Sequence, residues 1–250
     1  MVKRHKFQGV WNIVRFNWHQ YVLYFIVAVV LLLGAAFSST SLRFILLLLL
    51  GISFLQVLLS LVVSYYVYDH SDLYELKQVG DLNGMKVLNI NAGFDETSAI
   101  LENKFPGINL LKADFFNPKQ HTEVSIKRAR KAYPNGQDTI VVDSVSLPFH
   151  EKEFDKVICI FSAHEIRNQE ERIAFLSEVS RVTKPAGEIL IMEHLRDLPN
   201  FIAYNIGFLH FYSKNNWKAC FEASKLSLLK EVKSNKFVST FKLKPYGLPN

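Results

Sequence analysis

The chain is poor in cysteine, since Cys159 and Cys220 are the two cysteines among its 250 residues. They form no Cys-x-x-Cys pair, so the sequence indicates neither a disulfide framework nor a cysteine zinc site, and it favours a reducing compartment. A second absence is the Gly-x-Gly-x-x-Gly pattern, which is missing around Gly93. That absence argues against a nicotinamide dinucleotide site.

Two stretches lack charged residues altogether, residues 21–37 and residues 44–68. Crossing a bilayer takes roughly 20 mostly apolar residues, so the two stretches predict a hairpin of membrane-spanning helices. The alternatives are two buried helices of a soluble bundle and a cleaved signal peptide. The Leu-rich residues 42–50 leave no polar face for a bundle, and the immediate second run without a small-residue cleavage site disfavours a signal peptide.

Basic residues flank the first stretch on one side. Lys3, Arg4, Lys6 and Arg15 precede it, whereas Arg43 alone lies in the connection. Because positive charge marks the cytoplasmic side, we expect a multi-pass protein of the cell inner membrane. Its N-terminus and everything after residue 68 should face the cytoplasm.

The net charge of +6 is concentrated in residues 1–20, which contain no acidic residue. This distribution favours anionic lipid headgroups as the partner of the basic segment and does not indicate nucleic acid. Apolar side chains recur there at helical spacing, which predicts an amphipathic helix in the headgroup region or, alternatively, a helix packed on the soluble domain. These side chains are Phe7, Val10, Trp11, Val14 and Trp18.

The remainder divides into a linker or cover helix at residues 69–84 and an α/β domain at residues 85–250. Short apolar runs alternate with helical patterns there, which predicts a parallel sheet covered by helices on both faces. Residues 226–232 and 237–243 close the chain as an antiparallel hairpin. The predicted parallel strands are residues 85–90, 109–113, 139–142, 156–161 and 188–192.

Two motifs in this domain resemble those of the class I S-adenosylmethionine-dependent methyltransferases, in particular the quinone and small-molecule methyltransferases. The first is Asp-Ser-Val-Ser-Leu-Pro-Phe at residues 143–149, followed by Glu-Phe-Asp-Lys-Val at residues 153–157. The second is Glu-Val-Ser-Arg-Val-Thr-Lys-Pro-Ala-Gly at residues 178–187, before the fifth strand. The resemblance implies a Rossmann-like sheet with a C-terminal antiparallel hairpin, here preceded by the two-helix membrane hairpin.

The resemblance also implies a cofactor site for S-adenosylmethionine after the first strand. The family has an acid where this chain has Asn89, and glycines where it has Asn91 and Asp95, so the loop keeps only Gly93. Asn tolerates positive φ and can preserve the turn, while Asp95 is placed to cap the next helix.

Further cofactor contacts are expected at the ends of the second and third strands. The resemblance implies that Asp114 binds the ribose hydroxyls and that Asp143, beside Ser144, meets the adenine. Asp is also common at strand ends and in turns, so a purely structural role is the alternative. An adenosine between the two carboxylates requires one shared cleft.

Histidines and glutamates follow the fourth and fifth strands, which are neighbours in this fold. A hydroxyl or acidic carbon acceptor needs a base, and His suits that task near neutral pH. We expect His164 as the base, oriented by Glu165 or Glu193, with His194 as the second choice. Helix capping by His164 and ion pairing by the glutamates are the structural alternatives, and no ligand spacing indicates a metal site.

Residues 201–212 are unusually aromatic and too short to span a bilayer. We expect them to form a membrane-facing wall in which Tyr204 and His210 contact the acceptor, or else an ordinary core helix. The sequence thus predicts a membrane-anchored methyltransferase acting on a lipidic or membrane-associated small molecule. The alternative is a membrane-tethered binding or scaffold module that keeps the fold without transfer, and the oligomeric state is open.

Overall fold

Two long apolar helices precede the α/β domain in the structure, a computed structural model that describes residues 4–120 and 123–245. Helix α1 covers Gln8–Phe16, α2 covers Trp18–Ala36 and α3 covers Thr40–Tyr65. Within the described residues, α2 and α3 are long and apolar enough to cross a membrane, and only 6% and 0% of their most apolar windows are buried. Burial this low distinguishes them from the core helices of a soluble bundle.

Helix α3 passes into the domain through a π-helical turn, Tyr66–His70, followed by 3-10 turns at Asp72–Glu75 and Lys77–Val79. The predicted cover helix over residues 69–84 is therefore replaced by short turns. Leu76 adopts a left-handed conformation with φ 49°, which interrupts any continuous helix.

A seven-stranded sheet forms the centre of the domain, in the order β3-β2-β1-β4-β5-β7-β6. Strands β1 to β5 are parallel where they pair, and β7 is antiparallel to both β5 and β6. This arrangement confirms the predicted fold class. The strands are Lys86–Asn91, Asn109–Asp114, Thr139–Val141, Phe154–Ile160, Thr183–His194, Leu226–Lys233 and Val238–Pro245.

Helices and 3-10 turns connect the strands and cover the sheet. The helices are α4 (Ser98–Lys104), α5 (Val124–Ala132), α6 (Gln169–Val182), α7 (Leu198–Tyr204) and α8 (Lys214–Ala223). The 3-10 turns are Ala163–Glu165, after β4, and Asn205–His210, after α7. Helix α6 begins at its own cap, because the Asn168 side chain accepts a hydrogen bond from the Glu171 N–H at 3.0 Å.

Two motifs of the resemblance contact one another in the structure. Arg181 on α6 binds Glu178 at 2.7 Å and donates hydrogen bonds to the carbonyls of Leu147 and Phe149, both at 2.9 Å. Glu178 in turn accepts from the Leu147 N–H at 2.8 Å. The motif side chains thus fix the loop before β4 against α6, a structural role.

The Lys-Pro-Ala-Gly segment before the fifth strand is a bulge within β5. Phe154 pairs with Thr183 and Lys156 pairs with Glu188, so the intervening residues of β5 face a single residue of β4. A Cβ at Gly187 would lie 2.8 Å from the Asp155 carbonyl oxygen. Glycine is required there because the two backbones approach so closely.

The base of the apolar helical hairpin formed by α2 and α3 belongs to the core of the domain. Val63 and Val67 are buried with Leu76, Val79 and Leu82 against one face of the sheet. Because these side chains pack into the same cluster as β1 and β5, the end of α3 is fixed to the domain without a flexible linker. The opposite face of the sheet packs against α6 and α8.

Helix α1 packs on the domain through a face other than its apolar stripe. Gly9, Asn12 and Phe16 are buried, whereas Phe7 and Trp11 are 54% and 62% exposed. The Asp69 carboxylate accepts hydrogen bonds from the N–H groups of Gly9 and Val10 at 2.6 and 2.8 Å. The helix therefore contacts the domain and still presents an aromatic surface outward.

The aromatic segment after β5 is not a core helix. Ile202, Ile206 and Leu209 are 52%, 78% and 54% exposed. The Gln56 side chain of α3 donates hydrogen bonds to the carbonyls of Ile202 and Ala203 at 3.1 and 3.3 Å. This apolar surface consequently lies beside the long apolar helix α3.

Candidate functional site

The turn after β1 is held by an asparagine side chain where the resembled family has a glycine. Asn91 Oδ1 accepts a hydrogen bond from the Gly93 N–H, and Asn91 Nδ2 donates one to the Ala113 carbonyl, both at 3.0 Å. Gly93 has φ +95°, and a Cβ there would lie 2.9 Å from the Phe116 ring. Asn91 therefore preserves the turn through its amide, without a positive φ of its own.

The other two altered positions of this loop join β1 to α4. Asn89 Nδ2 donates to Thr97 Oγ1 at 3.0 Å and to Ser98 Oγ at 2.8 Å. Asp95 Oδ1 accepts from the N–H groups of Thr97 and Ser98 at 3.0 and 2.9 Å, as expected of a helix-capping acid. The polar side chains that replace the family's acid and glycines thus find their hydrogen-bond partners within the protein.

The two expected cofactor carboxylates do not face one shared cleft. Asp114 is fully buried, pairs with Arg130, and accepts hydrogen bonds from Asn135 Nδ2 at 2.6 Å and the Phe116 N–H at 2.9 Å. Asp143 is exposed and bonds its own turn through the Val145 N–H. The reason is local, because a strand-end aspartate turns toward whichever donors its loop supplies.

Ser144 is likewise directed away from the expected cofactor site. Its hydroxyl donates a hydrogen bond to Glu171 Oε1 on α6 at 2.6 Å, and the residue is buried. The contact attaches the loop after β3 to the helix that covers it.

The space at the Gly93 turn is small. A cavity of about 60 Å³ lies there, lined by Asn91, Phe94, Glu96 and Phe161 among others. Ligand pockets usually occupy about 300–1,000 Å³, so this cleft does not fit S-adenosylmethionine in the arrangement described.

Arg4 before α1, Phe16 of α1 and Tyr74 of the turns after α3 close this cleft. Arg4 pairs with Glu96 at 2.9 Å and lies 3.6 Å above the Tyr74 ring, and the Tyr74 hydroxyl donates to Glu96 at 2.6 Å. Phe16 packs edge-on against Phe94, with ring centroids 5.9 Å apart. A cofactor could occupy the cleft only if α1 moved away from the Gly93 loop.

A much larger cavity, of about 700 Å³, lies between the long apolar helices α2 and α3 and the loops after β4 and α7. Its walls combine apolar helix surface with polar groups, and the expected acceptor residues Tyr204 and His210 both line it. Hydroxyls of Ser64 and Tyr204 are buried on this wall without a hydrogen bond of standard geometry to any described residue. The other lining side chains include Tyr21, Ser60, Tyr68, Glu123, Glu165 and Phe211.

His164 lies between two carboxylates on the sheet side of this cavity. Its Nδ1 is 2.7 Å from Glu193 Oε2, and its Nε2 is 3.3 Å from Glu165 Oε1. Burial opposes the charged imidazole, but the charges of Glu193 and Glu165 outweigh it and raise the pKa of His164 to about 10. An imidazole that already carries its proton near neutral pH does not suit the expected role of base.

Glu165 and His210 extend the same cluster to the cavity wall. Burial is outweighed by His164 and His210, which hold the pKa of the Glu165 carboxyl well below its usual range. His210 contacts Glu123 Oε1 through Nδ1 at 2.8 Å and Glu165 Oε1 through Nε2 at 3.6 Å. Two of the four expected catalytic residues, His164 and Glu193, therefore lie behind Glu165 and His210.

His194, the second expected base, is buried, and its ring is fixed by hydrogen bonds and aromatic stacking. Its Nδ1 donates to Asn200 Oδ1 at 3.1 Å and the Phe237 carbonyl at 3.0 Å, and its Nε2 accepts from the Tyr68 hydroxyl at 2.7 Å. The ring stacks between Phe161 and Phe211. Burial lowers the pKa of His194 to about 4, so it is neutral and both ring nitrogens are occupied.

Sequence reasoning missed three residues of these sites. Arg130, which forms an ion pair with Asp114, lies in a basic helix with no motif. Glu123 and Arg167 lie in loops that are distant from one another along the chain. The available signal was weak: a charged residue next to a segment already selected for chemistry, as Arg167 is beside Glu165.

Similarity to known proteins is concentrated in this domain. Residues 117–191 match the family described as methyltransferase domain. Among curated relatives, the demethylmenaquinone methyltransferase of Thermotoga maritima is 28% identical over 134 residues, which cover 54% of this chain and 53% of the relative. The chain spans about half the length of the curated relatives it matches.

Solved structures extend the similarity to the whole sheet. The mitomycin 7-O-methyltransferase has a TM-score of 0.51 at 16% identity, covering 71% of this chain and 55% of that one. The fold is that of the class I methyltransferases. A protein from Pyrococcus horikoshii OT3 has a TM-score of 0.50 at 18% identity, covering 69% of this chain and 87% of that one.

Proposed function

We propose that this chain is a membrane-anchored S-adenosylmethionine-dependent methyltransferase, whose acceptor is a lipidic or membrane-associated small molecule. Support for the reaction class comes from the methyltransferase fold and the methyltransferase relatives. The single observation that carries the acceptor class is the 700 Å³ cavity, because its lining combines Tyr21, Ser60 and Ser64 of the apolar helices with Glu165 and His210 of the domain.

The membrane part of the proposal rests on the dimensions and exposure of α2 and α3. At 1.5 Å per residue, α2 is about 28 Å long and α3 about 39 Å, against a hydrocarbon core of about 30 Å. The last turns of α3 are buried on the domain, which leaves about the length of one span outside it. An acceptor dissolved in the bilayer would then reach the cavity laterally, along Tyr21 and Ser60.

Membrane topology can be tested by cysteine labelling, because both native cysteines are buried. We propose that the connection between α2 and α3 faces away from the cytoplasm and that the domain faces it. Ser39→Cys should then react with a membrane-impermeant maleimide in intact cells. Lys236→Cys should react only after permeabilisation, and the reverse pattern would contradict the orientation.

Transfer can be tested on the full chain in lipid nanodiscs. Calorimetry with S-adenosylhomocysteine measures cofactor binding, and methyl-labelled S-adenosylmethionine with a membrane lipid extract measures transfer into the apolar fraction. Saturable binding with label in that fraction supports the proposal. Absence of binding in both the native chain and the Arg4→Ala variant, which lacks the Arg4–Glu96 pair across the cleft, would refute it.

A second candidate function is a membrane-tethered binding module without transfer. The closed 60 Å³ cleft and the occupation of Asp114 by Arg130 favour it. Under this alternative the domain binds an apolar molecule in the large cavity with no cofactor. Acceptor binding that persists while S-adenosylhomocysteine never binds would distinguish it from the methyltransferase.

A further inference from the structure

Three side chains from two separate loops converge at the wall of the large cavity. His164 and Glu165 lie in the 3-10 turn after β4, and His210 ends the 3-10 turn after α7. One potential ligand atom from each residue lies within 4.8 Å of the others. His164 and Glu165 are buried, and His210 is partly exposed.

Two separations within this cluster match those between ligands of one small metal ion. Glu165 Oε1 is 3.3 Å from His164 Nε2 and 3.6 Å from His210 Nε2. Ligands at about 2.0–2.2 Å from a tetrahedral ion lie roughly 3.3–3.6 Å from one another. A cation bound between the three atoms would therefore need only small side-chain shifts.

Both imidazoles are also held in the orientation that metal-binding histidines adopt. Glu193 Oε2 lies 2.7 Å from His164 Nδ1, and Glu123 Oε1 lies 2.8 Å from His210 Nδ1. A metal-ligating histidine usually donates its second N–H to a carboxylate, which fixes the tautomer and the ring. In both histidines the remaining nitrogen, Nε2, is directed at Glu165.

We propose that His164, Glu165 and His210 bind one divalent transition-metal ion through two imidazole nitrogens and one carboxylate oxygen. The ion would replace the proton that His164 otherwise carries on Nε2, and that proton would be released to solvent. Two nitrogens and one oxygen suit Zn²⁺ and the neighbouring first-row ions. Glu193 and Glu123 are positioning residues in this site, since each acts on the ion only through a histidine.

The charges around the cluster support a cation there. Three carboxylates lie in or beside the cluster, those of Glu123, Glu165 and Glu193, and one guanidinium, that of Arg167, lies beside them. Arg167 pairs with Glu123 at 3.1 Å, and the same guanidinium nitrogen lies 2.9 Å from Nε2 of His210. Its side chain is 41% exposed, so it can leave Nε2 of His210 while keeping Glu123.

Because Glu165 and His210 line the 700 Å³ cavity, the coordination positions that the protein leaves open would face it. An oxygen of the acceptor could occupy one of them, and this step alone rests on the proposed function. Metal binding itself stands independently of methyl transfer and is measured without a cofactor.

The test uses untagged full-length protein in detergent micelles, since a polyhistidine tag would bind the same ions. After treatment with a chelator and its removal, Zn²⁺ alone is added, and bound metal is counted by mass spectrometry while affinity is measured by competition with a chromophoric chelator. We expect one Zn²⁺ per chain. Co²⁺ substitution should give visible absorption bands of a site with nitrogen and oxygen ligands.

Variants separate this site from adventitious binding. Glu165→Gln keeps the side-chain shape, and it and His210→Ala should each weaken Zn²⁺ binding at least tenfold. Glu193→Gln leaves all three ligands in place and should weaken binding about 10–100-fold through the orientation of His164. His150→Ala removes an exposed histidine outside the cluster and should change nothing.

Two results would overturn the proposal. One is less than a tenth of an equivalent of Zn²⁺ on the native chain, and the other is unchanged affinity in Glu165→Gln. If circular dichroism shows that His210→Ala does not fold, the Zn²⁺ affinity of the isosteric Glu165→Gln variant tests the proposal instead. Failure of cofactor binding would refute the methyltransferase while leaving this metal measurement intact.

Discussion

The buried imidazole of His194 should make the stability of the protein fall as the pH is lowered. Its pKa is about 4 in the folded protein, chiefly because burial disfavours the charged ring, against 6.5 in an unfolded chain. Between these two values the unfolded state binds more protons than the folded state, so the free energy of unfolding decreases as the pH drops. The contribution is intact above pH 6.5 and fully lost below about pH 4.

The size of the effect follows from the width of this window. Each unit of pKa difference corresponds to about 1.4 kcal/mol, so His194 should destabilise the protein by about 3 kcal/mol at acid pH. For a domain of this size, 1 kcal/mol shifts the melting temperature by roughly 2–4 °C. The melting temperature should therefore fall by about 6–12 °C on account of His194 alone.

The assay is thermal unfolding of the full chain in detergent, followed by circular dichroism between pH 4 and pH 7. The double variant His194→Phe with Tyr68→Phe removes the titrating ring and its buried partner together, which avoids leaving the Tyr68 hydroxyl unpaired. We expect this variant to lose most of the slope between pH 5 and pH 6.5, where ordinary carboxylates are still ionised. His150→Ala should keep the slope, and an unaltered slope in the double variant would refute the reasoning.

Three further predictions concern the cleft, the cavity and the fold. Arg4→Ala removes the Arg4–Glu96 pair and the contact with the Tyr74 ring, which together contribute about 1–2 kcal/mol. Calorimetry should therefore show an affinity for S-adenosylhomocysteine about 5–30-fold higher than in the native chain. Equal affinity would show that α1 does not close the cleft. Tyr204→Phe should raise the KM for the acceptor while leaving cofactor affinity unchanged, and a change confined to the cofactor would contradict the assignment of the cavity. Asn168→Ala should lower the free energy of unfolding by about 1 kcal/mol through loss of the α6 cap, measured by urea titration, with the exposed Asn215→Ala as its control.

The hydropathy and strand patterns of the sequence by themselves determined the architecture of this protein. Charge-free runs and alternating apolar segments are local properties, and burial of apolar surface dominates folding, so such patterns specify which segments become helices and strands. The predicted strands match β1 to β7 with shifts of one or two residues at their ends, except that β5 begins five residues earlier than predicted, at Thr183. Residues 69–84 were the exception, because the left-handed Leu76 and the packing of the segment on the sheet leave no trace in helical periodicity.

The direction of each polar side chain was decided by the tertiary structure alone. Asp114 ends its strand as predicted, yet Arg130 and Asn135 bind its carboxylate. His194 was predicted to follow its strand and is instead the last residue of β5, where Tyr68 of the π-helical turn after α3 donates a hydrogen bond to its ring. The cluster of His164, Glu165 and His210 likewise depends on two loops meeting beside α3. Hydrogen bonds and ion pairs act over a few ångströms between residues distant along the chain, so residue order fixes which groups are available, and folding decides which of them meet.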